Sequence, residues 1–260
     1  MTQTATPLPT RHWTPAQAAE VLDALARRQR EIPSWVLAEC PAAPERALAG
    51  VERALVESRL AALLDDGRRA VVALDDVRPT ARVAVPAALP RPRLFVMRDN
   101  AMGAFGAVGA VRVLRAVRAA MDPHDLLLLA LDVRDDRSAI EDEGYDAAGA
   151  LAARHLAVLG VLNRELGADF DAHRFAYRVT YEPEPRRAET HLVATAATRV
   201  TVPGHGVLAI GRGESLRTAI DCKYERARVE AMLAGVGLTL DDWTTDPRRR
   251  VALATASPAR

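Results

Sequence analysis

The middle of the chain contains two short runs in which every residue is apolar. They are LFVM at residues 94–97 and LLLLAL at residues 126–131. Continuous apolar runs of this length are typical of strands that are buried on both faces of a parallel sheet. Residues 107–120, which lie between the two runs, show the spacing of an amphipathic helix. We therefore expect residues 94–133 to form two adjacent parallel strands, with the helix packed on one face.

The residues before this unit predict two helices and a strand. Thr14 and Pro15 are a typical N-cap and first helical residue, so a helix is expected to begin there. A second apolar stripe predicts a helix over residues 45–64, and residues 69–74 are expected to form a strand. The run at residues 34–38 is compatible with either a strand or a packed turn.

The pattern changes in the second half of the chain. Residues 144–171 carry apolar side chains at helical spacing and predict a long amphipathic helix that ends at Gly167. Residues 175–181 and 189–202 alternate between polar and apolar, and a proline-rich turn joins them, so antiparallel pairing is expected. The predicted organisation is a disordered arm over residues 1–12, an α/β part over residues 13–140, and a helix with an α+β part over residues 141–260.

The composition is that of a folded protein without a polyanionic partner. Of the 260 residues, 49% are hydrophobic and 27% are charged, and the net charge is +1. This charge, together with an aromatic content of 4%, gives no indication of nucleic-acid binding. No apolar run approaches the roughly 20 residues that span a bilayer, and the N-terminus lacks the apolar core of a signal peptide. We therefore expect a cytoplasmic protein without a membrane or nucleic-acid partner.

The sequence shows no spacing that is typical of a metal or phosphate site. Cys40 and Cys222 form no metal or redox motif, and the histidines are scattered, so no metal site is expected. The glycines of GHGVLAIGRG, at residues 204–213, lie between predicted strands and lack the lysine of a phosphate-binding loop. They predict hairpin turns instead.

Four blocks of the sequence together carry a resemblance to a known family. They are LFVMRDNAMGAF (residues 94–105), DLLLLALDVRDD (125–136), YDAAG followed by a helix and LNRELGADFD (145–171), and GESLRTAIDCKY (213–224) with DDWTTDPRRRVAL (241–253). In this order and spacing they resemble the histidine-specific Nα-methyltransferases, the ergothioneine-pathway enzymes that use S-adenosylmethionine (SAM). The resemblance implies an α/β fold: a class I methyltransferase-like parallel sheet, N-terminally truncated or modified, with a smaller antiparallel-rich substrate-type domain.

The resemblance also implies SAM as cofactor, but one part of the family's cofactor site has no counterpart here. The family has a glycine-rich loop after its first strand, whereas residues 1–92 contain only Gly50 and Gly67. The remaining cofactor-binding candidates are carboxylates that follow predicted strands, where such sheets place their ligands. For the two aspartates that follow residue 74, the alternative to cofactor binding is a solvated turn. The candidates are Asp75, Asp76 and Asp99.

On the substrate side, the sequence departs from the family at the residues that recognise histidine. Ala104 stands where the family turn offers an asparagine, and Ala219 and Asp221 stand where it offers a glutamate and a serine. Histidine is therefore not expected as the substrate, and Asp221 suits a cationic group instead. The alternative for Asp221 is a surface carboxylate that caps a turn. Tyr145 and Tyr224 either orient a substrate amine or pack with satisfied hydroxyl groups.

Two functions remain open at this point. The first is a SAM-dependent N-methyltransferase-like enzyme that acts on a small amine or amino acid other than histidine. The second is a degenerate relative that does not bind SAM and serves as a noncatalytic partner or has repurposed the pocket. No catalytic base stands out, since His155 lies on the apolar face of its helix and is expected to be a satisfied, partly buried side chain. Methyl transfer by positioning needs few acid–base residues.

Overall fold

The structure is a computed structural model, and it describes residues 13–27, 30–41, 48–64, 69–74, 82–86, 88–144 and 149–260. The predicted disordered arm lies outside the described residues. The helices are α1 (Pro15–Ala26), α2 (Ser34–Leu37), α3 (Ala49–Leu64), α4 (Gly106–Ala120), α5 (Arg137–Gly144), α6 (Ala150–Leu166) and α7 (Arg226–Ala234). The strands are β1 (Arg30–Glu31), β2 (Ala70–Ala73), β3 (Arg93–Met97), β4 (Leu126–Asp132), β5 (Phe175–Glu182), β6 (Arg187–Ala194), β7 (Thr198–Val202), β8 (Gly206–Ile210), β9 (Ser215–Cys222), β10 (Leu238–Thr245) and β11 (Val251–Pro258).

The chain divides into two compact units, each assembled from segments that are separated along the sequence. The first unit comprises Met1–Ala43, Gly149–Arg178 and His191–Thr218, and the second comprises Pro44–Ala148, Val179–Thr190 and Ala219–Arg260. This division differs from the predicted single boundary at residue 140. The reason is that the last two strands pair with the parallel sheet, which brings the C-terminal segment into the second unit.

The second unit is built on a five-stranded sheet with the order β10-β11-β4-β3-β2. Strands β2, β3 and β4 run parallel to one another, whereas β11 is antiparallel to both β4 and β10. The prediction for residues 94–133 is thus confirmed, because β3 and β4 are adjacent and parallel and α4 connects them. The α/β fold with a parallel sheet, expected from the apolar runs, is also confirmed.

Helices cover both faces of this sheet and explain why its central strands are wholly apolar. Phe95 and Met97 share a buried cluster with Val113 and Leu114 of α4. The alternate residues of β3, Leu94 and Val96, belong to a different cluster that contains Val56 of α3. Because successive side chains of a strand point to opposite faces, a strand between two helical layers needs apolar residues at every position.

The first unit packs α1, α2, α6 and a β-hairpin around a core of its own. Val158, Leu159 and Leu162 of α6 are fully buried there, together with Val21 and Leu25 of α1. Helix α6 ends at Gly167, as predicted, and this glycine adopts the left-handed conformation with φ of 65°. Residues 34–38, for which a strand or a turn was expected, form the short helix α2 at Ser34–Leu37.

A four-stranded sheet has the order β1-β9-β6-β5. The turn at residues 183–186 joins β5 and β6, which are neighbours as expected. Residues 198–202 were predicted to continue β6 but form β7 instead, which pairs antiparallel with β8. Gly204, with φ of 78°, lies in the turn of this hairpin, and the expectation of hairpin turns is confirmed there. In the described part of the chain, no helix is both long and apolar enough to span a membrane.

A pair of substitutions on α4 tests the packing of the parallel unit. Leu114 is fully buried between α4 and the sheet, so Leu114→Ala is expected to lower the free energy of unfolding by about 2–5 kcal/mol. Val108 lies on the same helix and is 68% exposed, so Val108→Ala should change it by less than about 0.5 kcal/mol. Urea titration followed by circular dichroism measures both. Equal effects of the two substitutions would contradict the packing described here.

Candidate functional site

The candidate site lies in the second unit, where the carboxyl ends of β3 and β4 meet the end of β9. After β3 the chain turns through Asp99 and Asn100, whose φ angles of 58° and 50° are in the left-handed region. A short 3₁₀ helix, Ala101–Phe105, then leads into α4. Open α/β sheets bind their ligands at the carboxyl ends of the parallel strands, so a ligand is expected at this edge.

The buried side chain of Asn100 connects the ends of three strands. Its Oδ1 accepts a hydrogen bond from the backbone N–H of Asp132 at 3.0 Å, at the end of β4. Its Nδ2 donates to Asp221 Oδ1 at 2.6 Å and to the carbonyl of Cys222 at 3.0 Å, at the end of β9. Asparagine tolerates the left-handed conformation better than most residues do, which suits it to this turn.

Gly103 allows the 3₁₀ helix to approach the end of β9 closely. A Cβ atom at this position would lie 2.3 Å from Asn100 Nδ2 and 2.7 Å from Asp221 Oδ1. Real Cβ atoms do not come this close to other heavy atoms, so any side chain at Gly103 would displace the Asn100–Asp221 hydrogen bond. Only glycine is compatible with this contact.

A buried ion-pair network continues from Asp221. The ammonium of Lys223 lies 2.7 Å from Asp132 Oδ2 and 2.6 Å from Asp221 Oδ2. Arg134 also binds the Asp132 carboxylate, through Nε at 3.0 Å and Nη2 at 2.6 Å. Burial acts to raise the pKa of Asp132, but the hydrogen bond and charge of Arg134 and the charge of Lys223 outweigh it and lower the pKa to about 2. Asp132 is therefore an anion at neutral pH.

The structure brings together the predicted substrate-side residues in part. The Asp221 side chain is 40% exposed, and its position beside Gly103 places it next to the turn that carries Ala104. Ala219 precedes Asp221 by two residues in β9 and therefore shares its face. Ala104 itself is exposed.

Of the other five candidates, the structure describes two. The Tyr224 side chain is buried and its hydroxyl donates to the carbonyl of Met102 at 3.0 Å, which is the arrangement of a packing tyrosine with a satisfied hydroxyl. Asp99 is exposed, and its backbone N–H donates to the carboxylate of Glu52. Tyr145 and the pair Asp75–Asp76 lie outside the described residues.

His155 belongs to the first unit and has the geometry of a satisfied core residue. Its Nδ1 lies 2.7 Å from Thr218 Oγ1, and the side chain is buried. Burial, assisted by the neighbouring charge of Arg154, lowers the pKa of His155 to about 4, so the ring is neutral at pH 7. Among the residues that the structure describes, no three His, Cys, Asp or Glu side chains are grouped as metal ligands would be.

Sequence reasoning missed Asn100, Lys223 and Asp132 as members of one network. A signal was present, because Asp132 ends an apolar strand and Lys223 lies between residues that are otherwise typical of a core. A charge in such a position is seldom buried unless it is paired. Asp132 and Lys223 are partners, however, although they lie 91 residues apart along the chain. No sequence pattern identifies such a distant pair.

Residues 57–258 match the family described as "Histidine-specific methyltransferase, SAM-dependent". The chain belongs to this family. The resemblance predicted from the four sequence blocks is thereby confirmed. The strands β2 to β4 lie within the matched residues, as do all the members of the Asn100–Lys223 network.

Two relatives carry the name histidine N-alpha-methyltransferase. The protein from Mycolicibacterium smegmatis is 33% identical over 165 residues, which are 63% of this chain and 51% of the relative. The protein from Mycobacterium tuberculosis is 32% identical over 166 residues, which are 64% of this chain and 52% of the relative. The chain thus matches about half the length of these relatives.

Solved methyltransferase structures show a more distant similarity. The CcbJ methyltransferase from Streptomyces caelestis has a TM-score of 0.33 and 11% identity, over 65% of this chain and 57% of that one. A SAM-dependent methyltransferase from Clostridium acetobutylicum has a TM-score of 0.33 and 8% identity, over 65% and 58%. The α/β fold is instead shown by the strand order and by the family match.

The pH dependence of stability tests the ion-pair network. The pKa of Asp132 is about 2 in the folded chain and 3.8 in the reference state, so its contribution is complete above about pH 4 and is lost as the pH falls towards 2. At roughly 1.4 kcal/mol per pKa unit, the loss amounts to about 2 kcal/mol. Asp132→Asn should remove this part of the acid dependence, measured by urea unfolding between pH 5 and pH 2. The control Asp135→Asn changes an exposed carboxylate nearby and should leave the profile as it is.

Proposed function

We propose that this chain transfers a methyl group from SAM to a small amine or amino acid other than histidine. The observation that carries the proposal is the Asp221 carboxylate, which two donors hold beside the 3₁₀ helix while 40% of the side chain stays exposed. Membership of the family supports the reaction class, and the residues of this edge support the choice of substrate.

The described residues at the carboxyl edge fit a cationic cofactor. SAM, when bound, supplies an electrophilic methyl group on a positively charged sulfur, and its ribose carries two hydroxyl donors. Asp99 lies two residues after the end of β3 and is exposed, so its carboxylate is suited to accept hydrogen bonds from hydroxyl groups or to face a positive charge. Asp75 and Asp76 remain candidates for the same role.

The substrate side favours a cation over an imidazole. Asp221 offers a carboxylate, whereas Ala104 and Ala219 contribute no side-chain donor or acceptor. A site built to bind a polar group discriminates through hydrogen-bonding partners, and two of the three positions in question cannot supply one. A small amine with a second positive group would instead pair directly with Asp221.

In this proposal the chain acts by positioning rather than by acid–base catalysis. The Asp221 carboxylate binds the charged end of the substrate, which orients the reactive nitrogen. His155, in the first unit, is neutral and hydrogen-bonded to Thr218, and it has no part in the reaction. The proton that the amine must lose before it reacts goes to solvent.

A second candidate function is that of a relative that does not bind SAM. One observation favours it, because the turn after β3 is filled by the chain's own groups, as the contacts of Asn100 and Gly103 demonstrate. In addition, the described residues up to 92 contain no counterpart of the family's glycine-rich cofactor loop. Their one glycine, Gly50, lies within α3 rather than in a loop after a strand. Direct measurement of SAM binding separates the two candidates.

Calorimetric titration of the purified chain with SAM and S-adenosylhomocysteine tests the cofactor. Binding is expected, and Asp99→Ala should weaken it by about 1–3 kcal/mol, because a buried hydroxyl of the ligand would lose its acceptor. Asp241→Ala, which alters an exposed carboxylate on β10, serves as the control and should leave binding unchanged. No detectable binding at millimolar SAM would decide for the second candidate.

A panel of amino acids tests the substrate, with transfer of labelled methyl groups as the assay. L-lysine, L-ornithine and L-arginine are compared with their uncharged analogues L-norleucine, L-norvaline and L-citrulline. The charged members should be preferred, and Asp221→Asn should reduce the preference about fivefold, since a partly exposed pair contributes about 1 kcal/mol. Histidine should react roughly 10⁴-fold more slowly than the best acceptor. Efficient methylation of histidine would show that Ala104, Ala219 and Asp221 do not select the substrate.

A further inference from the structure

The Asp221 carboxylate is held at both of its oxygens. Asn100 Nδ2 donates to Oδ1 at 2.6 Å, and Lys223 Nζ donates to Oδ2 at 2.6 Å. The two donors are buried, although the carboxylate itself is partly exposed. Two short hydrogen bonds at separate oxygens define the plane and direction of a carboxylate, which a single contact does not.

We propose that Lys223 and Asn100 are positioning residues that fix Asp221 in the orientation in which it binds the cationic group of the substrate. This inference rests on the proposed function and specifies how its substrate preference arises. A side chain that is already ordered loses little rotamer freedom on binding, so an anion held in place discriminates better than a mobile one. Neither Lys223 nor Asn100 contacts the substrate in this proposal.

Further contacts immobilise the two positioning residues themselves. The ammonium of Lys223 also binds the Asp132 carboxylate, which is paired with Arg134 as well. Asn100 uses its Oδ1 to accept from the backbone of Asp132, so both positioning residues are tied to the same strand end. The orientation of Asp221 therefore depends, through Lys223 and Asn100, on β4, a strand that is buried on both faces.

A purely structural role for Lys223 is the alternative that an experiment must separate. In that role the ammonium only neutralises Asp132, and a buried carboxylate that loses its partner destabilises the unit. The double variant Asp132→Asn with Lys223→Met removes one positive and one negative charge together. It restores the charge balance around Asp132 but leaves Asp221 without its Lys223 hydrogen bond.

The test measures binding and turnover separately for L-lysine, L-ornithine and L-arginine and for their uncharged analogues L-norleucine, L-norvaline and L-citrulline. For Lys223→Met, we expect KM and Kd for the charged members to rise about threefold to fivefold, a loss no larger than that caused by Asp221→Asn. Their kcat and the KM of the uncharged analogues should stay within about twofold. The double variant should show the same loss of preference, and Asn100→Ala should lower the preference as well.

Arg93→Met is the matched control, because Arg93 is a buried cation paired with Asp125 at the opposite end of β3. It should lower stability without changing the preference for charged ligands. An unchanged preference in Lys223→Met, or a preference restored in the double variant, would overturn the inference. Because calorimetric binding is measured apart from turnover, absence of methyl transfer would count against the proposed function alone. Equal binding of charged and uncharged ligands by the unmodified chain would overturn the inference.

Discussion

The side-chain amide of Asn100 is the interaction on which the arrangement of the candidate site depends. It lies in a turn with a left-handed backbone and pairs with groups at the ends of β4 and β9, so three strand ends share one residue. A buried amide that lost one of these partners would cost about 1–3 kcal/mol. The requirement that every buried polar group be paired thus fixes the turn, the close approach at Gly103 and the direction of Asp221 together.

Charge balance imposes a second constraint on the same region. Asp132 and Lys223 are both almost completely buried, and each is a costly group to remove from water by itself. Arg134 and Asp221 complete the pairing, and of these four side chains Asp221 is the one with substantial exposure. The network therefore has one negative group that a ligand in solution can reach. This arrangement accounts for the preference for cationic substrates in the proposed function.

The family match and the geometry address different aspects of function. Residues 57–258 place the chain in a family of SAM-dependent methyltransferases, whereas the match to the mycobacterial relatives covers about half of their length. Fold and family membership do not determine which substrate a site accepts. In the proposed function, that choice is made by Ala104, Ala219 and Asp221, which differ in the polar groups that they offer to a substrate.

The sequence by itself determined the parallel unit and the nature of the critical residues, but not their association. The runs at residues 94–97 and 126–131 are apolar at every position, which only a strand covered on both faces requires, so β3 and β4 were predictable. No sequence pattern at residues 238–245 or 251–258 identifies a neighbouring strand, and only the tertiary structure decided that β10 and β11 extend the sheet of β2, β3 and β4. Asp221 was recognised as a departure within a matched block, whereas Asn100 lies 121 residues away and Asp132 lies 91 residues from Lys223. Local periodicity reports which face of an element is buried. It carries no information on which distant charged residue will pair with a buried charge, because that pairing depends on how the fold brings the strand ends together.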